Sequence, residues 1–396
     1  MTLPDTIERA RQELELQITL SPALIAAKGF TSLDTERTCA RARELCQQVG
    51  ETPQLFSVLY GLVRFYMVRA ELQTARELAE QLFSLAQRAQ DPALLLEAHR
   101  VLGPTMFWLG ELSLSRMHSE QGVALYDPKQ HRSHAFVYGL DPGAVCRSYA
   151  AMSMWMLGYP DQAQQSSHKA LTLAQEIDHP FSLAWTLAHA TIVHQFRREA
   201  QTVQERAEAL MTLSTEQGFP HWLPYGMILR GWARAEQGAR AEGIAQLRQG
   251  LVAHLDTRAG LHRPYFLSLL AEAYGKGGKP EEGLTVIDEA MAIVNNTEER
   301  NWEAELHRLK GELLLMQQGQ KVSEAEECFQ QAFKIDSSQQ AKSFELRVAM
   351  SLSRLWQQQG KRQEAHQLLS EIYGWFTEGF DTVDLQEAMA LLEQLA

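Results

Sequence analysis

The sequence predicts an all-α protein: an α-solenoid of about nine helix–turn–helix repeats, each about 40 residues long, wound into a right-handed superhelix. Three observations carry this expectation. Turn signals recur at a fixed spacing. At positions 30, 70, 110, 158, 198, 238, 278, 319 and 360, the intervals are 40, 40, 48, 40, 40, 40, 41 and 41. Mostly small residues hold one register, five residues past the turn, at Ala75, Ser115, Ala163, Val203, Gly243, Gly283 and Ala365, with Ala325 at six. The stretches between these marks repeat with helical period, and none alternates with period two over a strand's length.

Each unit can be justified in order along the chain. A small residue just past the turn lets two helices cross closely, where a larger side chain would push them apart. Seven residues before the turn, Gly103, Ala151, Gly231 and Ala271 repeat the pattern, with Gly311 one place off. Proline marks the next loop 22 residues after the turn, at Pro92, Pro180 and Pro220, and four residues late at Pro264. It is tolerated in a helix's first turn and ends whatever precedes it. In Phe266–Tyr274 most positions are apolar, a broad buried face. The long interval holds an insertion at 128–140, with His131 and His134. Segment 381–396 places Val383, Leu385, Ala388, Leu391, Leu392 and Leu395 on one side, as a capping helix would. The expected organisation is a single solenoid: N-terminal repeats at 1–127, the insertion loop, repeats at 141–380, and the cap.

Composition excludes several classes. Hydrophobic residues make up 45% of 396, enough for a large core. The 37 Lys and Arg against 49 Asp and Glu give a net charge of −12. Such a chain, with no basic block, makes a poor partner for nucleic acid or an anionic membrane. No stretch approaches the 18 apolar residues of a membrane span. The first residues lack the basic-then-apolar order of a signal peptide, so a cytoplasmic protein is expected. Cys39, Cys46, Cys146 and Cys328 form no C-x-x-C pair and read as reduced packing residues.

The spacing of small residues around a glycine turn resembles the tetratricopeptide repeat, most clearly in Leu270-Ala271-Glu272-Ala273-Tyr274 and in Gly158–Ala163. Residues 218–396 carry a further likeness. The runs Arg263–Gly275, Trp302–Leu313, Ser351–Gly360 and Ile372–Asp381 resemble the C-terminal repeat region of bacterial adenylate/guanylate cyclases that also carry a signal-transduction ATPase domain. The resemblance implies a sensor or interaction module, the regulatory part of a larger protein. It does not carry cyclase or ATPase activity across. There is no G-x-x-x-x-G-K-[ST] loop and no cyclase-like strand with paired metal aspartates.

The search for chemistry is otherwise empty. Gly275-Lys-Gly-Gly-Lys279 has the wrong spacing for a phosphate loop and sits on a repeat turn. There is no H-E-x-x-H and no G-x-S-x-G. His189 and His194 are five apart, and His131 and His134 read as exposed loop histidines without a third ligand. No enzyme, metal or cofactor is expected.

What remains is the inner wall, lined by the first helix of each pair. Its second position places Trp185, Tyr225 and Tyr265 at intervals of 40. Other inner positions hold Phe107, Met152, Trp155 and Trp232, with Arg100, Arg147, Gln195 and Arg230 nearby. Two readings stand: a groove for a protein or peptide partner, or aromatics that fill space between adjacent helices. A small-molecule sensor, its ligand held between these aromatics and the insertion, is the alternative function. Toward the C-terminus the wall becomes charged, with Glu272, Glu305, Arg308, Arg347 and Arg354. A monomer, or a weak homodimer through the N-terminal edge, is expected.

Overall fold

The computed structural model describes residues 6–28, 32–49, 55–317 and 321–396. Turn positions 30 and 319 lie outside them. Among the described residues there are helices and no strand. The first repeats pair α1 (Ile7–Lys28) with α2 (Leu33–Val49), α3 (Leu55–Val68) with α4 (Leu72–Ala89), and α5 (Pro92–Trp108) with α6 (Leu112–Leu125). Two short helices follow, α7 (Pro128–His131) and α8 (His134–Tyr138). Then come α9 (Pro142–Met156) with α10 (Pro160–Glu176), α11 (Pro180–Phe196) with α12 (Ala200–Gln217), and α13 (Leu223–Glu236) with α14 (Arg240–Asp256). The last pairs are α15 (Arg263–Lys276) with α16 (Pro280–Thr297), α17 (Glu303–Met316) with α18 (Val322–Gln339), and α19 (Lys342–Gln358) with α20 (Arg362–Tyr373). Helix α21 (Val383–Leu395) packs Leu385, Ala388, Leu391 and Leu395 onto the end.

The turns have one chemistry. Ala70, Gly110, Gly158, Arg198, Gly238, Gly278 and Gly360 all have positive φ, at the spacing the sequence predicts. After each of these seven, the next N–H reaches back five residues, as in Glu71 to Tyr66, Tyr159 to Met154 and Lys361 to Trp356. This Schellman closure satisfies a helix-end carbonyl. Glycine suits the left-handed position best; Ala70 and Arg198 adopt it at some cost in strain.

The small register lies at the crossings. Ala75, Ser115, Ala163, Val203, Ala325 and Ala365 are fully buried. A Cβ on Gly243 would lie 2.6 Å from the Gly231 carbonyl oxygen, so α13 and α14 touch backbone to backbone. Pro92 and Pro180 open their helices and Pro264 is second in its helix. Pro220 instead lies in the turn before α13, whose first turn holds Pro224.

The superhelix closes on itself. The Val68 carbonyl, at the end of α3, accepts from the N–H groups of Gly260 and Leu261 at 2.9 and 3.2 Å. The Trp108 carbonyl accepts from Arg300 N–H at 2.8 Å. The Trp155 carbonyl accepts from Ser343 Oγ, 188 residues away, and the Phe196 carbonyl from Arg347 Nη2, 151 residues away. The Val68, Trp108 and Phe196 carbonyls, which their helix ends leave without partners, are thus satisfied by the next winding of the superhelix, and the Trp155 carbonyl, already bonded to Gly158 N–H, gains a second donor. Gly158 fits against Trp375, where a Cβ would come within 2.5 Å of the ring.

Candidate functional site

This closure decides where the inner-wall residues lie. Of the eleven candidates, Arg100, Phe107, Met152, Trp155, Trp185, Tyr225 and Tyr265 are buried in the core. Trp185 stacks on His189 with centroids 3.8 Å apart, Tyr225 Oη lies 3.0 Å from His262 Nδ1, and Tyr265 Oη donates to Gln195 Oε1 at 2.9 Å. Trp155 packs between Phe196 and Phe344, under the Arg347 guanidinium. Arg100 pairs with Glu97 at 2.7 Å, both fully buried. In the central repeats, then, the aromatic positions pack against one another and fill the superhelix axis. Arg147 and Arg230 are half-buried and lie apart from this column. Gln195 and Trp232, themselves nearly fully buried, reach the edge of a cleft, and Arg230 lines a shallow surface depression beside α12.

The insertion histidines are not the exposed loop residues that the sequence suggests. His131 is buried and accepts from Asp127 N–H at 3.0 Å, and His134 Nδ1 lies 2.7 Å from Glu97 Oε1. Both act as clips that seat α7 and α8. Among the described residues no group of three or more His, Cys, Asp or Glu is placed to hold a metal ion. Among the described residues no helix is long and apolar enough to cross a membrane. Cys39, Cys46 and Cys146 are buried thiols and Cys328 is half-buried.

The core column makes stability depend on pH. Burial lowers His189 to about 4, His254 to about 4 and His221 to about 3, and holds His262 well below its ordinary range. These rings are neutral when folded but titrate near 6.5 when unfolded. Their contribution is complete above about pH 6.5 and is lost as pH falls toward the folded values. Burial raises Glu299 to about 8, against which the His262 N–H is a weaker, opposing influence. Burial also raises Asp336, fully enclosed, in the same sense. These raised carboxyls stabilise most below about pH 4.5 and lose that contribution as pH rises through the folded values. Each costs about 1.4 kcal/mol per pH unit across its window. Elsewhere burial lowers His99, His118, His179 and His307 and raises Asp141 and Glu236 in the same way; the histidines outnumber the carboxyls between pH 4.5 and 6.5, so thermal stability is expected to peak near pH 6.5. Melting curves from pH 4 to 9 test this. Glu299→Gln should make the alkaline decline shallower; an unchanged slope would show that Glu299 is ionised in the fold.

The open inner wall lies further along. A cleft of about 970 Å³, partly open to solvent, is lined by inner helices α11, α13, α15, α17 and α19, by α21, and by Arg198 at a turn. Its floor is apolar and aromatic: Trp232, Trp302, Leu269, Leu309 and Met350. Its walls hold the five charged residues that the sequence places there, joined by Lys276, Glu312, Asp384 and Glu387. Helical spacing explains the rows: Glu305, Arg308 and Glu312 lie on one face of α17, and Arg347 and Arg354 on one face of α19.

The charges are paired. Arg308 forks onto Glu305 at 2.7 and 2.8 Å, the bidentate geometry that guanidinium and carboxylate favour. Lys276 bridges Glu236 and Glu272 at 2.7 and 2.9 Å, and Trp232 Nε1 donates to Glu272 at 3.2 Å. Burial opposes ionisation of Glu272, but Lys276, Arg308 and Trp232 outweigh it and hold the carboxyl below its ordinary range. Burial and the neighbouring Glu272 push Glu236 up. Arg347 donates to Asp384 at 2.8 Å, and Arg198 reaches Asp384 and Glu387 at 3.2 and 3.0 Å. Arg354, half-exposed, meets Glu387 at 3.4 Å. The sequence does not single out Lys276, Glu312, Asp384 or Glu387; for Lys276 the available signal is its 40-residue step from Glu236.

Repeats of this kind, with first helices facing inward, Schellman turns and small-residue crossings, define a tetratricopeptide-like α-solenoid. Known proteins with the same fold bear this out. The chain superposes on a Rap protein solved with competence and sporulation factor, at a TM-score of 0.64 and 10% identity over 99% of this chain and all of that one. It superposes on the Rap conjugation gene regulator of plasmid pLS20, solved with a Phr peptide, at 0.56 and 9% over 96% and 95%. The apo quorum sensor NprR of B. thuringiensis aligns at 0.52 and 12% over 92% and 98%. In sequence, an uncharacterised protein of Rhizobium meliloti is 23% identical over 339 residues, 85% of this chain. The chain spans only 33% of that relative's length. No family profile matches the chain.

Proposed function

We propose that the chain is a non-catalytic binding module whose charged cleft takes a segment of a protein or peptide. The carrying observation is the make-up of that cleft. Inner helices of consecutive repeats set paired acidic and basic side chains around an apolar floor, in a concave cleft open to solvent on one side. Aromatic and aliphatic floor residues offer contact area, while the charged rim selects by complementarity. Two of the similar structures were solved with a bound factor or peptide, which supports an occupant of that kind. The likeness of residues 218–396 to cyclase and ATPase repeat regions, with the greater length of the Rhizobium meliloti relative, supports a place within a longer cytoplasmic signalling protein. There the repeats would relay binding to an ATPase and a cyclase domain.

The test is selection from a random 12-residue peptide library on the intact chain, followed by affinity measurement on Arg354→Glu. Arg354 is half-exposed and holds only a 3.4 Å pair, so the reversal should leave stability within about 0.5 kcal/mol. Selected peptides should bind the variant roughly 10-fold more weakly. Failure to enrich any sequence, or equal affinity for both chains, would overturn the reading.

A further inference from the structure

The cap helix places carboxylates of its own in the charged cleft. One face of α21 is apolar and buries Leu385, Ala388, Leu391 and Leu395. Asp384 and Glu387, three apart on the same helix, line the cleft instead. Asp384 is mostly buried and belongs to the Arg347 tie. Glu387 differs. With its side chain 38% exposed, it is the most open of the five carboxylates that line the cleft. Each of its oxygens takes one guanidinium: Oε1 lies 3.0 Å from Arg198 Nη1, and Oε2 lies 3.4 Å from Arg354 Nη2.

Both cations stand out from their surroundings. Arg198 occupies a turn with φ of 61°, where five of the seven turns use glycine. Ala70, the other exception, is buried in the core. Arg198 instead sends its guanidinium to the cleft. A strained residue kept at a turn calls for a reason, and here the side chain supplies it. Arg354 is the most exposed cation of the cleft, at 47%, and its pair with Glu387 is long.

Two guanidiniums at the rim thus share one exposed carboxylate. Exposed pairs of this kind contribute little, so their partners exchange readily. A ligand carboxylate can meet either guanidinium through two parallel hydrogen bonds, while an apolar neighbour in the ligand covers the floor. The chain's net charge of −12 opposes an acidic ligand only weakly, because charges beyond about 8 Å are screened at physiological ionic strength. We propose, on the reading that the cleft takes a peptide, that its occupant is acidic and that Glu387 is a built-in competitor. An Asp or Glu of the ligand displaces Glu387 from Arg198 and Arg354.

The probes are peptides selected on the intact chain from the 12-residue library, each paired with a counterpart in which Asp and Glu become Asn and Gln. Selected sequences should carry an acidic residue beside an aromatic or aliphatic one. By calorimetry the acidic form should bind wild type roughly 10-fold more tightly than its amide counterpart. Glu387→Gln should tighten the acidic form roughly 5-fold and leave the amide form unchanged. The variant should melt as wild type does, since the apolar face of α21 is untouched. Arg198→Gly removes one rim guanidinium while easing the turn. A roughly 5-fold loss confined to the acidic form therefore reads the charge and not the fold. Selected peptides without Asp or Glu would overturn the acidic occupant, and unchanged or weaker affinity at Glu387→Gln would overturn the competitor; either result leaves the peptide cleft standing. A library from which nothing enriches would remove the cleft reading itself, and the competitor with it.

Discussion

Replacing Gly243 with leucine is expected to destabilise the fold by about 3 kcal/mol, at the upper end of what overpacking costs. The reason is that no side chain can move aside. At the α13–α14 crossing a Cβ on Gly243 would lie 2.6 Å from Gly231 O, 2.7 Å from Ala235 N and 2.8 Å from Ala235 Cβ. Two of these atoms are backbone, so the helices themselves must separate, and every later repeat would be tilted with them. Leucine recovers about 1 kcal/mol of helix propensity over glycine, which offsets only part of this. Gly61→Ala is the matched control. It gains the propensity without a clash and should stabilise by up to about 1 kcal/mol. Urea denaturation of both variants reads the difference directly. Equal midpoints for Gly243→Leu and wild type would show that the crossing has room.

The second large effect is expected at Arg347. Its guanidinium donates to the Phe196 carbonyl at 2.7 Å and to Asp384 at 2.8 Å, lies 4.9 Å above the Trp155 ring, and sits 3.7 Å from Glu305. One side chain thereby ties α11, α19 and α21 together. Arg347→Ala leaves a helix-end carbonyl without this donor and Asp384 with Arg198 alone. Breaking one side of a buried pair costs about 3 to 5 kcal/mol. Lysine should rescue little, because a single ammonium cannot match the planar fork in both directions. The loss should appear as a lower urea midpoint for the whole chain, with proteolysis rising in 374–396 and in α3 to α9 together. A cost under about 1 kcal/mol with unchanged protection would show that Arg347 is not the tie.

Local features of this fold are plain in its sequence, and long-range ones are not. The left-handed residue occurs at Gly110, Gly158, Gly238, Gly278 and Gly360, where glycine announces it, and also at Ala70 and Arg198, where only the period does. The charged inner wall of Glu272, Glu305, Arg308, Arg347 and Arg354 is likewise legible, because helical spacing fixes which residues share a face. Whether Trp185, Tyr225 and Tyr265 bound a groove or a core depends on something else. It is set by contacts such as Trp155 with Ser343, 188 residues apart, and no local pattern encodes the radius at which a superhelix closes. His131 shows the same limit on a smaller scale: its burial follows from the seating of the insertion, not from its own sequence neighbours.

Closure through helix-end carbonyls has a consequence for cooperativity. In an open solenoid each repeat meets only its neighbours, so stability is a sum of adjacent terms and the array can unzip from either end. Here Val68, Trp108, Trp155 and Phe196 each hold a segment of the next winding. Opening a repeat in the middle breaks bonds to repeats far along the chain as well as beside it. Fraying at one end is therefore coupled to the centre, and the array behaves as a two-dimensional lattice rolled into a cylinder, whose melting approaches all-or-none.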